Sequence, residues 1–229
     1  MTVLLAANCC SAAPGNYWYG GFSLGADDWQ NSKTLSAKMT SGPSSGQRVP
    51  LKAQSATQLA FTGGAIIGAE QDSDNVMFAE QLELSYQTVN NAVTATLASS
   101  SFSNNIIETM GPSAAVALLP GLILTRHVAL YGKLGYIVSQ FETSGKNPGT
   151  LGPNGDQIDY ISGLELGIGI QRHFPKRWTL RVEYDYTSYG NFSITGKNDA
   201  GIPGGAGGMV TTKYAINTNA LMLNAIYSF

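Results

Sequence analysis

The chain has 229 residues and a net charge of −2, and only 12% of its residues are charged, about half the share usual in soluble domains. That balance excludes a highly charged disordered chain and offers no basic surface for nucleic acid. No run of 18 or more uninterrupted apolar residues occurs, which argues against a helical membrane protein.

Residues 1–15 read as the remnant of a secretory signal or an N-terminal tail. Val3, Leu4 and Leu5 form a short apolar core and small residues follow it, although no Lys or Arg precedes the core. The two cysteines, Cys9 and Cys10, are adjacent, and bridge geometry disfavours a disulfide between neighbours. A lipid anchor on Cys9 is the alternative, with Asn8 a poor residue to precede it.

From residue 16 onward the sequence divides into eight hydrophobic segments. The first, 17–27, places Trp18, Phe22, Leu24 and Ala26 on one face and Tyr19, Ser23, Gly25 and Asp27 on the other. The polar connection 28–57 carries Lys33, Lys38, Arg48 and Lys52 with no acid between Asp28 and Glu70, so it is a candidate anion-binding loop. Segment 58–70 leads through the acidic turn Gln71-Asp72-Ser73-Asp74-Asn75 into segment 76–89. A polar connection, 90–108, precedes segment 109–125. Arg126 and His127 turn the chain into segment 128–143. A Gly/Pro/Asn loop, 144–157, precedes segment 158–171. Phe174-Pro175-Lys176-Arg177 turns it into segment 178–189. The Gly-rich connection 191–212 is predicted as a loop before the last segment, 213–229.

Long and short connections therefore alternate strictly, and every segment reaches the ~9–11 residues that a tilted strand needs to cross a bilayer. The pattern predicts an all-β fold: an eight-stranded antiparallel up-and-down transmembrane β-barrel over residues 16–229. The seventh segment shows the phase best. Trp178, Leu180, Val182, Tyr184 and Tyr186 alternate with Thr179, Arg181, Glu183, Asp185 and Thr187. A soluble sandwich would alternate too, but here the non-apolar faces of the other segments are small and mixed, which suits a narrow lumen. Two places break the phase. Glu80 falls among the lipid-facing residues Phe78, Leu82, Leu84 and Tyr86, and Pro112 and Pro120 belong near strand ends or bulges.

By phase, Glu83, Lys133, Glu165, Arg181, Glu183 and Asp185 face the lumen. Eight strands leave an interior just wide enough for side chains, and charges buried there must pair. A salt-bridge network plugging the lumen is the expectation, with a narrow gated pore as the alternative. The histidines, His127 and His173, both fall at short turns, away from the long-loop rim where a barrel enzyme would work on lipid. No catalytic triad, cofactor site or metal site is expected, since two distant histidines and two N-terminal cysteines make no ligand set.

The opening Tyr17-Trp18-Tyr19-Gly20-Gly21-Phe22-Ser23-Leu24-Gly25, the run Leu180-Arg181-Val182-Glu183-Tyr184-Asp185-Tyr186-Thr187 and the terminal Tyr227-Ser228-Phe229 carry a resemblance. Over residues 16–229 the chain resembles the eight-stranded outer-membrane barrels: the transmembrane domain of outer membrane protein A and the opacity-type surface antigens. The resemblance implies a bacterial outer-membrane location with both termini periplasmic, and a terminal aromatic signal, Tyr227 and Phe229, read by the barrel-assembly machinery. Expected partners are outer-membrane lipids, lipopolysaccharide and host-cell or matrix molecules. The expected function is non-enzymatic, structural and adhesive through four extracellular loops. A small porin-like channel is the alternative, and a lipid-modifying barrel enzyme stands behind it.

Overall fold

The computed structural model describes residues 16–39, 48–51, 56–73, 75–96, 103–145, 157–202 and 206–229. The tail 1–15, Lys52 and the centre of the Gly-rich connection, 203–205, lie outside the described residues. The strands are β1 (Asn16–Met39), β2 (Arg48–Leu51), β3 (Ala56–Ser73), β4 (Val76–Gln87), β5 (Asn90–Thr96), β6 (Ser103–Thr125), β7 (Val128–Gly145), β8 (Gln157–Phe174), β9 (Trp178–Ile202) and β10 (Ala206–Ser228). They form one antiparallel sheet in the order β10-β9-β8-β7-β6-β4-β3-β1, closed by pairing of β1 with β10. The short strand β2 pairs with β1 beyond the end of β3. Strand β5 pairs with β6 and continues β4 past Thr88 and Val89. The ring therefore has eight strands.

Closure follows from the two ends of the sequence. Phe22 lies opposite Ala225 and Leu24 opposite Leu223, and the Phe229 amide donates to the Trp18 carbonyl at 2.9 Å. No sheet edge is left in the lipid band, which removes the unpaired backbone groups that hydrocarbon cannot solvate. Outward side chains such as Phe22, Phe61, Leu118, Tyr160 and Leu221 are exposed, while their inward neighbours are buried.

The strands run further than the hydrophobic segments do. The connections read as loops at 28–57, 90–108 and 191–212 are largely sheet. Strand β1 has 24 residues and β9 has 25, about twice what a membrane crossing needs. The physical reason is that apolar alternation marks the lipid band, not the strand. Beyond Ala26 the outward face meets water, so Asp28, Gln30, Ser32 and Thr34 replace the apolar residues while the ladder goes on satisfying the backbone.

Two irregularities reset the phase. On β9, Tyr189 and Gly190 together oppose Ile216 of β10, and Gly190 takes φ 67°, a bulge that suits glycine. Inward positions then shift to Phe192 and Ile194. On β6, Gly111 and Pro112 form a second bulge between Met110 and Ser113. Pro120 sits where the β6–β7 pairing skips from Leu118 to Gly121, so its missing N–H leaves a gap in that ladder only.

Candidate functional site

The inward side chains occupy the lumen in layers, beginning at the rim that holds the short turns. Arg181 of β9 is fully buried at the first layer. Its Nη2 donates to Glu70 Oε2 at 2.8 Å, Nε to Gln171 Oε1 at 2.7 Å and Nη1 to Gln81 Oε1 at 3.0 Å. The guanidinium also lies over the Tyr19 ring at 4.7 Å and the Tyr131 ring at 5.6 Å. One planar fork thus ties together side chains from β1, β3, β4, β7 and β8, a task for which guanidinium geometry is suited.

Lys133 of β7 holds the next layer. Its Nζ lies 2.9 Å from Glu165, 3.0 Å from Asp185, 3.5 Å from Glu83 and 3.7 Å from Glu183. Tyr131 donates to Glu183 Oε1 at 2.5 Å, which links the two layers. The structure therefore brings Glu83, Lys133, Glu165, Glu183 and Asp185 into one cluster and sets Arg181 beside them, on a partner of its own, Glu70. Gly167 and Gly169 on β8 make room for this: a Cβ on Gly167 would run into the Asp185 carboxylate, and one on Gly169 into the Tyr131 ring.

Above the charges the lumen becomes apolar. Trp29, Met110, Ile137, Phe141, Ile161 and Ile216 are buried in one cluster. Phe192 stacks on Tyr214 with ring centroids 5.2 Å apart, and Phe141 meets both rings edge-on. A hydroxyl chain, Ser113–Ser139–Tyr189, crosses its floor at 2.7 and 2.9 Å. Asp27 accepts from Thr62 nearby.

Beyond the aromatic layer lies a further buried ion pair. Lys33 Nζ lies 2.6 Å from Glu108 Oε1, and Asn31 donates to Glu108 Oε2 at 2.9 Å. This corrects the reading of Lys33 as an exposed anion-binding residue. Its parity on β1 matches Trp29 and Asn31, so it points into the barrel, where its side chain is 1% exposed. Lys38, five residues on, has the opposite parity and is exposed. Arg48 lies on β2 with its Cα opposite Lys38.

At the short-turn rim, His173 hydrogen-bonds Thr179 at 2.9 Å and Gln171 at 3.1 Å. Asp72, in the acidic turn, has its carboxyl pushed up to about 6 by burial and by the neighbouring Glu70 charge. Tyr227 and Phe229 both face outward, and the Tyr227 ring meets Trp178 edge-on at 5.4 Å. Among the described residues, no group of three or more His, Cys, Asp or Glu is arranged to hold a metal ion.

Sequence reasoning did not find Glu70, Gln81, Gln171 and Tyr19 around Arg181, or Glu108 opposite Lys33. Glu70 ends a segment in which Gly and Ala occupy both faces, so the phase that carries it inward was not visible.

No curated protein sequence matches the chain. Among solved structures, the outer membrane protein OprG of Pseudomonas aeruginosa is 15% identical with a TM-score of 0.55, covering 94% of this chain and 96% of that one. The attachment invasion locus protein Ail of Yersinia pestis is 12% identical with a TM-score of 0.46, covering 92% and 98%. Neisserial surface protein A is 14% identical with a TM-score of 0.40, covering 91% and 97%. The family described as outer membrane protein beta-barrel domain matches residues 1–229. With its closed ring of strands and lipid-facing apolar band, the chain is a member of the outer membrane protein β-barrel domain family, a protein of the bacterial outer membrane.

Proposed function

We propose that this barrel is a non-enzymatic surface protein whose lumen network stabilises a closed scaffold and whose recognition work is done by the strand extensions beyond the lipid band. The observation that carries this reading is the lumen itself. Arg181, Lys133, the aromatic layer and the Lys33–Glu108 pair occupy it in successive layers from the short-turn rim to the level of Lys33. Beyond the lipid band the sheet continues as the paired extensions β1–β2, β5–β6 and β9–β10. Rigid scaffolds that present such elements are a common basis of recognition.

Both termini then lie in the periplasm, with Tyr227 and Phe229 as the segment offered to the assembly machinery. Lys38 is exposed on β1, and with Arg48 and Lys52 of the same basic stretch of sequence it is our candidate for binding lipopolysaccharide phosphates or anionic host glycans. The absence of enzymatic function is supported by the placement of His127 and His173 at the short-turn rim and by the ion pairing of the lumen carboxylates. Deleting each extension in turn and scoring adhesion of expressing cells to host cells and matrix tests the proposal. Loss with at least one deletion is the expected outcome, and unchanged adhesion in all of them defeats it.

One observation favours a pore as a second reading. Among the described residues, Asp27, Glu70, Glu83, Glu165, Glu183 and Asp185 outnumber the basic groups below the aromatic layer, Lys133, Arg181 and His173, so any ion path there would favour cations. Discrete, reproducible cation-selective openings of the pure protein in a planar bilayer would establish that reading.

A further inference from the structure

Among the described residues, two charged side chains keep the outward phase between apolar lipid-facing neighbours: Arg172, whose guanidinium lies over the Phe174 ring, and Glu80. On β4 the outward residues are Val76, Phe78, Glu80, Leu82, Leu84 and Tyr86. Glu80 keeps the outward phase there, with no bulge in the pairing of β4 to β3 or β6 to turn it in. Among the described residues its carboxylate meets no cation and no hydrogen-bond donor within contact distance. A carboxylate facing hydrocarbon is costly unless something pairs with it.

The surroundings of Glu80 form a hollow in the wall. Trp18, Ala69, Glu80 and Leu118 lie side by side on β1, β3, β4 and β6. Ala69 is short, and the taller Trp18, Ile67, Leu82, Leu118, Tyr136 and Leu164 stand around it. The groove measures about 650 Å³, within the range of sites that hold small molecules. It combines apolar walls with one anionic group beside the Trp18 end of the barrel.

We propose that this groove binds a phospholipid bearing a primary ammonium, of the phosphatidylethanolamine type, with the ammonium on Glu80 and an acyl chain along the apolar walls. Charge complementarity selects the head group. A primary ammonium supplies up to three donors for a charge-assisted bond to the carboxylate, whereas a trimethylammonium supplies none and a glycerol head supplies no cation. A second copy of the barrel fits less well, because a symmetric contact over this face would set Glu80 against Glu80.

The test is native mass spectrometry on the barrel reconstituted in vesicles of phosphatidylethanolamine with phosphatidylglycerol, or of phosphatidylcholine with phosphatidylglycerol, and released in mild detergent. The wild-type barrel is expected to retain one phosphatidylethanolamine and neither of the other lipids. Glu80→Gln removes a charge from the lipid face without disturbing the interior, and it should lower the retained fraction about tenfold, as loss of a charged hydrogen bond does. Ala69→Leu, which fills the hollow and leaves the carboxylate, should lower it as well. Equal retention by Glu80→Gln, equal retention of the three lipids, or a second protein or second barrel held at this face in a Glu80-dependent way would overturn the proposal.

Discussion

Lys33 and Glu108 meet at 2.6 Å across the interior of the barrel, although they lie 75 residues apart and their strands, β1 and β6, are not neighbours in the sheet. Both side chains are almost wholly buried. A pair of this kind holds the two walls of the outer extension together, and it does so above the lipid band, where the sheet has no hydrocarbon around it.

The first prediction follows from that burial. Removing one partner strands the other charge away from water, at a cost of about 3–5 kcal/mol, whereas replacing both by apolar residues costs much less. Lys33→Met and Glu108→Met should each loosen the extension. The double variant should recover most of the loss. Hydrogen exchange along β1 beyond Ala26 would show it, with the amides of 17–26 staying protected. Equal exchange in all four proteins would refute the clasp.

Arg181 leads to a second prediction. Arg181→Lys keeps the charge and loses the fork, so Gln171, Gln81 and Glu70 cannot all be bonded from one head group. Unfolding in urea from lipid vesicles should show a loss of about 2–4 kcal/mol, with Arg181→Met worse still because the buried Glu70 loses its arginine and keeps the Gln171 amide as a donor. A lysine variant as stable as the wild type would show that charge alone matters at this site.

How far the sequence revealed these sites depended on contrast between the two faces of each strand. On β7, β8 and β9 large apolar residues face lipid, so the alternation placed Lys133, Glu165, Arg181, Glu183 and Asp185 inside. On β3 the run Gly63-Gly64-Ala65-Ile66-Ile67-Gly68-Ala69 has no such contrast, and Glu70 was read only as a segment end. Beyond the lipid band the contrast fails altogether. Ser32, Lys33 and Thr34 look alike to a hydrophobic pattern, and alternation carried back from Ser113 and Ala115 would put Glu108 outward, whereas the Gly111–Pro112 bulge turns it inward. Strand pairing persists there because it rests on backbone groups, which sequence periodicity does not record.

Gly167 supports a third prediction. The Asp185 carboxylate and the Lys133 side chain occupy the space over its Cα. Gly167→Ala should therefore push Asp185 off Lys133 and cost about 1–3 kcal/mol, the usual cost of overfilling a packed interior. Gly132→Ala, where only the Gly167 carbonyl lies within ordinary contact of a Cβ, should be close to neutral by the same urea titration. If the two behave alike, the lumen is looser than these contacts indicate.

The last prediction concerns pH. Asp72 lies at the end of β3 beside the hairpin tip, outside the lipid band, and its carboxyl is pushed up to about 6 from 3.8 by burial and by the Glu70 charge. A raised pKa means that the folded state holds the proton more tightly than the unfolded chain does. The contribution to stability is thus fully present below about pH 4 and is lost as pH rises through about 6. Because Asp72 is only partly buried, the swing should be about 1 kcal/mol, well under the full value of the shift. Asp72→Asn removes the titrating group and keeps the shape. It should leave stability near pH 4 almost unchanged and raise it above pH 7, where the wild type carries two neighbouring carboxylates at the tip. Urea midpoints of both proteins at pH 4 and pH 8 decide the matter: a gain for the variant at pH 4 that matches its gain at pH 8 would assign the effect to the amide's hydrogen bonds and not to the lost charge.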